Sequence, residues 1–314
     1  MFKKLCNIFI KTEKENKTMQ ITFLGTSCMM PTKERNPSAM FMQYKSDGIL
    51  FDCGEGTQRQ MKIAGISLSK VTKICVSHWH GDHILGLPGM LLTIAAMELS
   101  KSVEIYGPQG SKRAFQALFG GIEFETKFNI KINEVHEGIF FENEDYKLES
   151  MPMKHPVPCV GFAFIEKDRR RIKVDYVKKL GIPEGPLLGE LQRGNDIKYK
   201  GKKVSVEDAT AVIKGRKIVF ITDTLLNENC YKLAANADLL IIDSTYASKL
   251  KDKAAEHGHL TALEAAQIAS KAGVKKLVLT HFSARYKNTL EIEEDARTAF
   301  DDVICAHDFM RINP

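Results

Sequence analysis

The feature that most constrains this chain is the run His78-Trp-His-Gly-Asp-His83, which directly follows the apolar segment Ile74-Cys-Val76. The apolar segment predicts a buried strand, so the run places imidazoles and a carboxylate at the end of a sheet, where irregular backbone can direct them to one point. The chain has 314 residues and nine histidines, so a chance cluster of His78, His80, Asp82 and His83 is a weak alternative. We predict that these four side chains bind metal.

Three further strand-like segments each lead into one side chain of a metal-binding type. His155 follows the segment 146–151, Asp223 ends the segment 218–222, and His281 ends the segment 277–280. Taken singly, each is more typical of a hydrogen-bonded core or loop residue. Together with the first run they give five histidines and two aspartates, a donor set suited to a pair of zinc ions with a carboxylate between them.

Around these residues the sequence predicts alternating strands and helices. Strand patterns occur at 20–24, 103–106, 128–135, 138–141 and 160–165, and again in the apolar segments that lead to Asp223, Asp243 and His281; helix patterns occur at 55–64, 91–99, 261–272 and 290–300. Near-continuously apolar strands predict sheets covered on both faces. Early hairpins followed by strand–helix units predict a layered α/β sandwich.

Residues 167–203 interrupt this alternation. They contain twelve Lys and Arg against five Asp and Glu, a net charge of +7, compared with +6 for the whole chain. A short helical pattern at 174–180 is followed by residues 181–189, which are too rich in glycine and proline for a helix or a sheet. We predict an inserted basic arm that projects from the sandwich; a long solvated surface loop fits the composition equally well.

The remaining composition limits the class of protein. Apolar stretches are only a few residues long, whereas a membrane helix needs about 20, so we expect no membrane span. Seven scattered cysteines without a Cys-x-x-Cys pair argue against a disulfide framework or a cysteine zinc site and indicate the cytoplasm. Residues 1–18 have an apolar patch too short for a signal peptide, and we interpret them as a flexible extension outside the fold.

The ligand pattern, a His-x-His-x-Asp-His run followed by a lone histidine, a strand-end aspartate and a strand-end histidine, resembles the metallo-β-lactamase superfamily over residues 19–314. The resemblance implies an α/β fold, the four-layer αβ/βα metallo-β-lactamase sandwich, here with an inserted exosite arm. It also implies that one zinc ion is bound by His78, His80 and His155, the other by Asp82, His83 and His281, and that Asp223 bridges both. Two such ions suit phosphodiester hydrolysis, in which Asp82 is also able to accept a proton from the attacking water.

Two segments are similar to ribonuclease Z. Phe23-Leu-Gly-Thr26 with the turn at 31–36 resembles the opening motif of that family, which implies that Lys33 and Arg35 contact RNA phosphates. Glu256-His-Gly-His259-Leu-Thr261 resembles its second catalytic histidine segment, which implies that His259 is the general acid and Asp243 its partner. Relatives have HEAT where this chain has Ile242-Asp-Ser-Thr245, so a shorter carboxylate must reach His259. We also expect Thr261 to cap a helix.

The basic segment resembles the tRNA-binding arm of short-form ribonuclease Z. The resemblance assigns precursor tRNA binding to Arg169, Arg170, Arg171, Gly185 and Pro186. It implies a zinc-dependent, cytoplasmic endonuclease that removes the tRNA 3′ trailer, leaving a 3′-hydroxyl on the tRNA and a 5′-phosphate on the trailer. It further implies a homodimer in which each arm holds the RNA that the partner subunit cleaves.

Two alternatives stay open at this point. A small-molecule hydrolase of the same fold, such as an arylsulfatase or a cyclic-nucleotide phosphodiesterase, would share every metal ligand but lack the basic arm. A non-catalytic RNA-binding protein on a decayed scaffold is less consistent with the sequence, because all seven ligand residues are present. Zinc content and cleavage of unprocessed precursor tRNA distinguish the three.

Overall fold

The computed structural model of the chain describes residues 19–99, 102–123 and 129–314, so the predicted extension at 1–18 lies outside the described residues. In chain order the strands are β1 (Met19–Gly25), β2 (Ser27–Cys28), β3 (Ala39–Tyr44), β4 (Asp47–Phe51), β5 (Val71–Cys75), β6 (Ser102–Gly107), β7 (Asn129–Glu134), β8 (Gly138–Glu142), β9 (Tyr146–Met153), β10 (Cys159–Glu166), β11 (Arg169–Ile172), β12 (Ile197–Tyr199), β13 (Lys202–Val204), β14 (Thr210–Ile213), β15 (Lys217–Ile221), β16 (Leu239–Asp243), β17 (Lys276–Thr280), β18 (Phe282–Ser283), β19 (Val303–Cys305) and β20 (Arg311–Ile312). The helices are α1 (Thr57–Ile63), α2 (Gly81–Ile84), α3 (Leu87–Ala96), α4 (Ser111–Phe119), α5 (Val174–Lys179), α6 (Pro186–Gln192), α7 (Val206–Ala209), α8 (Glu228–Ala234), α9 (Lys251–His257), α10 (Ala262–Lys271) and α11 (Leu290–Arg297).

Two seven-stranded sheets contain most of these strands. The first has the order β20-β1-β3-β4-β5-β6-β7 and the second the order β19-β17-β16-β15-β10-β9-β8. In the first, β1, β3 and β4 are antiparallel and β4 to β7 are parallel; in the second, β8, β9, β10 and β15 are antiparallel and β15, β16, β17 and β19 are parallel. Each sheet therefore combines hairpins with strand–helix units, as predicted.

Apolar side chains fix the order of the layers. The two sheets pack face to face through a core drawn from both, in which the rings of Phe51 and Phe220 stack with centroids 3.8 Å apart. A second core joins the outer face of the first sheet to α1 and α3, and a third joins the second sheet to α8, α10 and α11. The order helix, sheet, sheet, helix confirms the predicted four-layer α/β sandwich.

Two features bring the carboxyl ends of the parallel strands together. The parallel strands β4 and β5 of the first sheet, and β15, β16 and β17 of the second, all lead directly into polar loops. The short strands β2 and β18 pair in parallel, with Ser27 opposite Phe282 and Cys28 opposite Ser283. Because this pairing joins a loop of the first sheet to the end of β17, the loops of both sheets meet at one edge.

The basic segment has a small core of its own. Strand β11 pairs with β14 in antiparallel register, with Arg169 opposite Ile213 and Arg171 opposite Ala211. The buried residues between these strands are Val177, Ile182, Leu191, Ile197, Val204, Val206 and Ala209. The paired unit therefore runs over 169–213 and extends past the predicted limit of 203.

The expectation that 181–189 excludes a helix is wrong, because α6 begins at Pro186. Proline at the first helical position loses no hydrogen bond, since that backbone N–H has no partner within a helix. Gly185 before it has φ 146°, a conformation that side chains disfavour. The prediction of Thr261 as a cap is confirmed: its hydroxyl accepts from the Glu264 backbone N–H, and the Glu264 side chain accepts from the Thr261 backbone N–H.

Within the described part of the chain, no helix is long and apolar enough to cross a bilayer. The six described cysteines, Cys28, Cys53, Cys75, Cys159, Cys230 and Cys305, are all unpaired. The prediction that these cysteines form no disulfide framework is thus confirmed.

Candidate metal centre

The histidine run follows β5 and lies beside the end of β4. The Ser77 backbone N–H donates to Asp52 Oδ1 at 2.7 Å, and its hydroxyl donates to Asp52 Oδ2 at 2.9 Å. The Ser77 hydroxyl also lies 3.0 Å from His78 Nδ1. These contacts hold the start of the run against the neighbouring strand, and α2 then carries Asp82 and His83 on one turn.

A first donor set consists of His78, His80 and His155 with Asp223, and its ligand atoms all lie within 4.8 Å of one another. His80 Nδ1 lies 3.1 Å from His78 Nε2 and 3.2 Å from His155 Nε2. Asp223 Oδ2 lies 3.6 Å from His78 Nε2. The fold thus brings the lone histidine after β9 to the first two histidines of the run.

A second donor set consists of Asp82, His83 and His281 with Asp223. The Nε2 atoms of His83 and His281 lie 3.3 and 3.2 Å from Asp223 Oδ1, and each lies 3.5 Å from Asp82 Oδ2. Donors around a tetrahedral zinc ion with bonds of about 2.1 Å lie about 3.4 Å apart. The four atoms therefore have the spacing of a tetrahedral cation site.

Three buried atoms test whether a cation fits here. His83 Nε2, His281 Nε2 and Asp223 Oδ1 are buried and have no hydrogen-bond partner among the described residues. Leaving such an atom unsatisfied costs about 1–3 kcal/mol, and all three face the same point. Asp223 also presents one oxygen to each donor set, which is the arrangement of a bridging carboxylate. The residues present fit two divalent cations.

The far nitrogen of each of three rings is held by another group. His83 Nδ1 lies 2.7 Å from Asp52 Oδ2, His155 Nδ1 lies 3.1 Å from the Gly258 carbonyl, and His281 Nδ1 lies 3.2 Å from Thr245 Oγ1. Such contacts orient ligand rings and set their tautomers. At Gly258, with φ 79°, an added Cβ would lie 3.0 Å from His155 Nδ1, so both conformation and space require glycine.

Asp52 is a residue of the site that the sequence analysis missed. Like Asp223, it follows an apolar strand directly, and that position was the available signal. Asp52 and His281 both have positive φ, 54° and 64°, although neither is glycine. Backbone strain of this kind persists where surrounding contacts enforce it, and here it aims both side chains inward.

The charges of the site favour ligand forms of its side chains. Burial would raise the pKa of Asp223, but His281, His83 and His78 outweigh it and hold that pKa well below its usual value. Burial and the neighbouring His83 lower the pKa of His78, which keeps its imidazole neutral. An ionised carboxylate and a neutral imidazole are the forms that bind metal.

His259 and Asp243 form a pair beside the second donor set. His259 Nδ1 lies 3.1 Å from Asp243 Oδ2, so the shorter aspartate does reach the imidazole. Backbone N–H groups of Thr245 and Leu260 donate to the same carboxylate at 2.9 and 3.2 Å. Burial lowers the pKa of His259, but Asp243 outweighs this effect and raises it to about 10, which keeps the ring protonated at neutral pH.

These side chains open onto a cleft of about 1070 Å³. Its lining includes His80, Asp82, His155, Asp223, Tyr246, His259 and Cys28. The exposed Arg285, which the sequence analysis did not single out, places its guanidinium 5.3 Å from the centre of the Tyr246 ring. A cation thus lies at the edge of the cleft, where a phosphate would pass.

The residues predicted to bind RNA differ in their availability. Lys33 is exposed, whereas Arg35 donates from Nη2 to the Tyr286 carbonyl and has a buried Nη1. The geometry therefore favours Arg35 as a support of its loop over a phosphate contact. Gly185 and Pro186 are exposed at the start of α6.

The three arm arginines alternate, as residues of a strand do. Arg169 and Arg171 are exposed, whereas Arg170 lies on the opposite face of β11. Arg170 Nη2 lies 2.6 Å from Glu207 Oε1, and Nη1 donates to Thr210 Oγ1 at 3.1 Å. Arg170 therefore holds the arm together, and the other two face solvent.

The fold and the donor sets define a protein of the metallo-β-lactamase class. Residues 200–282 match the sequence model of the beta-lactamase superfamily domain, and residues 19–176 match that of the anti-Pycsar protein Apyc1. The crystal structure of human tRNase Z, short form, is 30% identical with a TM-score of 0.68, covering 93% of this chain and 98% of that chain. The metallo-β-lactamase fold protein YhfI from Bacillus subtilis, 19% identical with a TM-score of 0.68, supports the fold alone.

Relatives named ribonuclease Z match almost the whole chain. That of Methanothermobacter thermautotrophicus is 42% identical over 295 residues, covering 94% of this chain and 96% of the relative. That of Archaeoglobus fulgidus is 40% identical over 300 residues, covering 93% and 97%. The chain belongs to the ribonuclease Z family.

Proposed function

We propose that the protein is a zinc-dependent endoribonuclease that removes the 3′ trailer from precursor tRNA, leaving a 3′-hydroxyl on the tRNA and a 5′-phosphate on the trailer. The observation that carries the proposal is the pair of donor sets that share Asp223, with the His259–Asp243 pair beside them. Family membership supplies the substrate, and the donor geometry supports the hydrolytic chemistry.

In this proposal His78, His80 and His155 hold one zinc ion, Asp82, His83 and His281 hold the other, and Asp223 bridges them. When bound, the two ions supply polarisation of the phosphoryl oxygens and a water of lowered pKa. The carboxylate of Asp82 is fixed by the Met29 backbone N–H, which donates to Oδ2 at 2.7 Å. Asp82 is placed to take the proton of the attacking water, because it borders the open cleft.

His259 acts as the general acid. Its Nδ1 is held by Asp243, so its Nε2 is free to donate a proton to the 3′ oxygen that leaves. The raised pKa keeps that proton in place at neutral pH. Asp243, which is fully buried and accepts two backbone hydrogen bonds, positions the imidazole and stabilises its charge.

The basic arm and the turn at Lys33 hold the RNA. Arg169, Arg171 and Lys33 are exposed cations suited to phosphates, and Gly185 and Pro186 present the start of α6. Folded RNA is recognised largely through its shape and backbone. Family resemblance supports a homodimer with each arm serving the partner's site, and light scattering of the purified protein tests it. The unpaired cysteines support the cytoplasm as its location.

The decisive experiment is incubation of the purified protein with a 3′-extended precursor tRNA, with and without a chelator, followed by mapping of the cut and its end groups. We expect one cut at the 3′ end of the tRNA, abolished by the chelator and restored by zinc. A protein that hydrolyses a small phosphodiester but leaves precursor tRNA intact would instead be the small-molecule hydrolase. A protein that binds tRNA without cleaving it would be the RNA-binding scaffold.

A further inference from the structure

One thiol lies at the metal centre and has no role in the proposed function. Cys28 Sγ, a carboxylate oxygen of Asp82 and a ring nitrogen of His281 all lie within 4.8 Å of one another. Cys28 is half-buried and borders the cleft. It is thus the one described cysteine among the residues that line this cleft.

The fold fixes the position of this sulfur through the same contacts that place two of the ligands. Cys28 pairs with Ser283 in the β2–β18 ladder, which starts directly after His281. The next residue, Met29, donates its backbone N–H to Asp82 Oδ2 at 2.7 Å and has φ 63°. A non-glycine residue in this conformation is held there by its surroundings. The thiol is therefore built into the site.

An independent observation indicates that this sulfur faces a cation. His281 Nε2 is fully buried and lacks a hydrogen-bond partner among the described residues, and its imidazole belongs to the same cluster as the sulfur. Bonds of about 2.1 Å from nitrogen and about 2.3 Å from sulfur place two donors up to about 4.4 Å apart. A small side-chain adjustment therefore brings both atoms to one ion.

We propose that Cys28 is an additional ligand of the cation held by Asp82, His83, His281 and Asp223, approaching it from the cleft side. This inference rests on the proposed metal centre. The S–H bond breaks as the sulfur–metal bond forms, and the proton leaves to solvent. Because thiolates prefer soft and borderline-soft metals, the sulfur biases this position towards zinc, cobalt and cadmium over magnesium and manganese.

The competing role for Cys28 is a contact with the general acid, since its sulfur lies 3.8 Å from His259 Nε2. Cobalt distinguishes the two roles, because a thiolate bound to Co²⁺ gives a charge-transfer band in the near ultraviolet that nitrogen and oxygen ligands do not give. Bound cobalt itself is followed separately by its visible bands and by metal analysis.

The test uses the full-length protein, stripped of metal and loaded with Co²⁺. We expect the charge-transfer band in the unaltered protein and in Cys305→Ala, a control at another half-buried cysteine. We expect the band to disappear in Cys28→Ala and Cys28→Ser while the visible bands remain. A cobalt-loaded unaltered protein without the band, or a Cys28 variant that keeps it, would refute the proposal.

A second measurement needs no variant. Bound Co²⁺ should slow alkylation of Cys28 by iodoacetamide at least about tenfold, read by peptide mass analysis, and should leave the rate at Cys305 unchanged. Equal alkylation of Cys28 with and without bound cobalt would exclude ligation. Failure of the unaltered protein to bind any cobalt would overturn the metal centre itself along with the role of Cys28, whereas bound cobalt with an unprotected thiol overturns the role of Cys28 alone.

Discussion

At the metal centre the functional side chains are buried and oriented by other groups, whereas in the arm the free cations point into solvent. His83 and His281 are fully buried, and Asp52 and Thr245 hold their outer nitrogens. In the arm, by contrast, the exposed Arg169 has no ion pair among the described residues. Chemistry on a phosphate needs donors fixed within fractions of an ångström. Attraction to the backbone of a folded RNA acts over about 10 Å and tolerates movement.

The comparison predicts that the two regions fail differently when altered. Removal of a buried donor should abolish the reaction on every substrate. Removal of arm cations should weaken only the binding of RNA. Substitutions in both regions test this separation, from the largest expected effect to the smallest.

The largest effect is expected for Asp223→Ala. This change removes both oxygens that face the donor sets, and two cations without a shared anion repel each other strongly. Bound metal and hydrolysis of both precursor tRNA and a small phosphodiester should fall to the limit of detection. Metal analysis and both assays measure this outcome.

The matched control is Asp238→Ala. Asp238 is a half-buried aspartate beside the second sheet, where it pairs with Lys275 at 2.7 Å and accepts the Lys217 backbone N–H at 2.8 Å, and it belongs to neither donor set. Its variant should retain metal and activity. An active Asp223→Ala protein with full metal content would overturn the bridge.

The next effect concerns His259→Ala, which should keep its metal but cleave precursor tRNA roughly 10²- to 10⁴-fold more slowly, the usual contribution of a general acid. A nitrophenyl phosphodiester, whose leaving group needs no proton, should be affected much less. His257→Ala is the matched control, because His257 is an exposed imidazole that also borders the cleft. Equal losses on both substrates would remove His259 from the acid role.

The pH dependence has a defined sign. A general acid works in its protonated form, so the rate supported by His259 is present below its pKa and is lost as the pH rises through it. Asp243 raises that pKa, so Asp243→Asn should move the alkaline limb of the rate profile to lower pH. An alkaline limb that stays in place would show that another group titrates there.

These two regions also differ in how far the sequence predicted them. The ligands could be found because each follows an apolar strand, and parallel strands bring such ends to one edge. Asp52 was missed because its partner His83 is 31 residues away, and only the pairing of β4 with β5 brings the two together. The availability of Arg35 was misjudged for the same reason, since its partner Tyr286 belongs to the other half of the chain.

A smaller effect is expected from removal of the arm. Asp168 and Gly215 face each other at its base, where Gly215 N–H donates to Asp168 Oδ1 at 2.9 Å. A short Gly/Ser link between them should therefore leave β10 and β15 paired, and the whole paired unit 169–213 is the segment to replace. Hydrolysis of a small phosphodiester should survive this change.

Binding of precursor tRNA by the armless protein should weaken, and its dependence on salt should become shallower, because fewer phosphates are neutralised and fewer counterions are released. Filter binding at several salt concentrations measures both. Unchanged affinity and salt slope would return the segment to a solvated loop and favour the small-molecule hydrolase.

The smallest and sharpest change separates the arginines of β11. Arg169 and Arg171 share the exposed face, whereas Arg170 is paired with Glu207. The double variant Arg169→Ser, Arg171→Ser should reduce the salt slope of tRNA binding by up to about 0.9 for each phosphate that is no longer neutralised, with an unchanged melting temperature. Arg170→Ser is the matched control within the same strand: it should lower the melting temperature slightly and leave the salt slope nearly unchanged. Equal salt slopes for the two variants would mean that the two faces of the strand do not differ in their binding of RNA, and that the arm acts only through its overall charge.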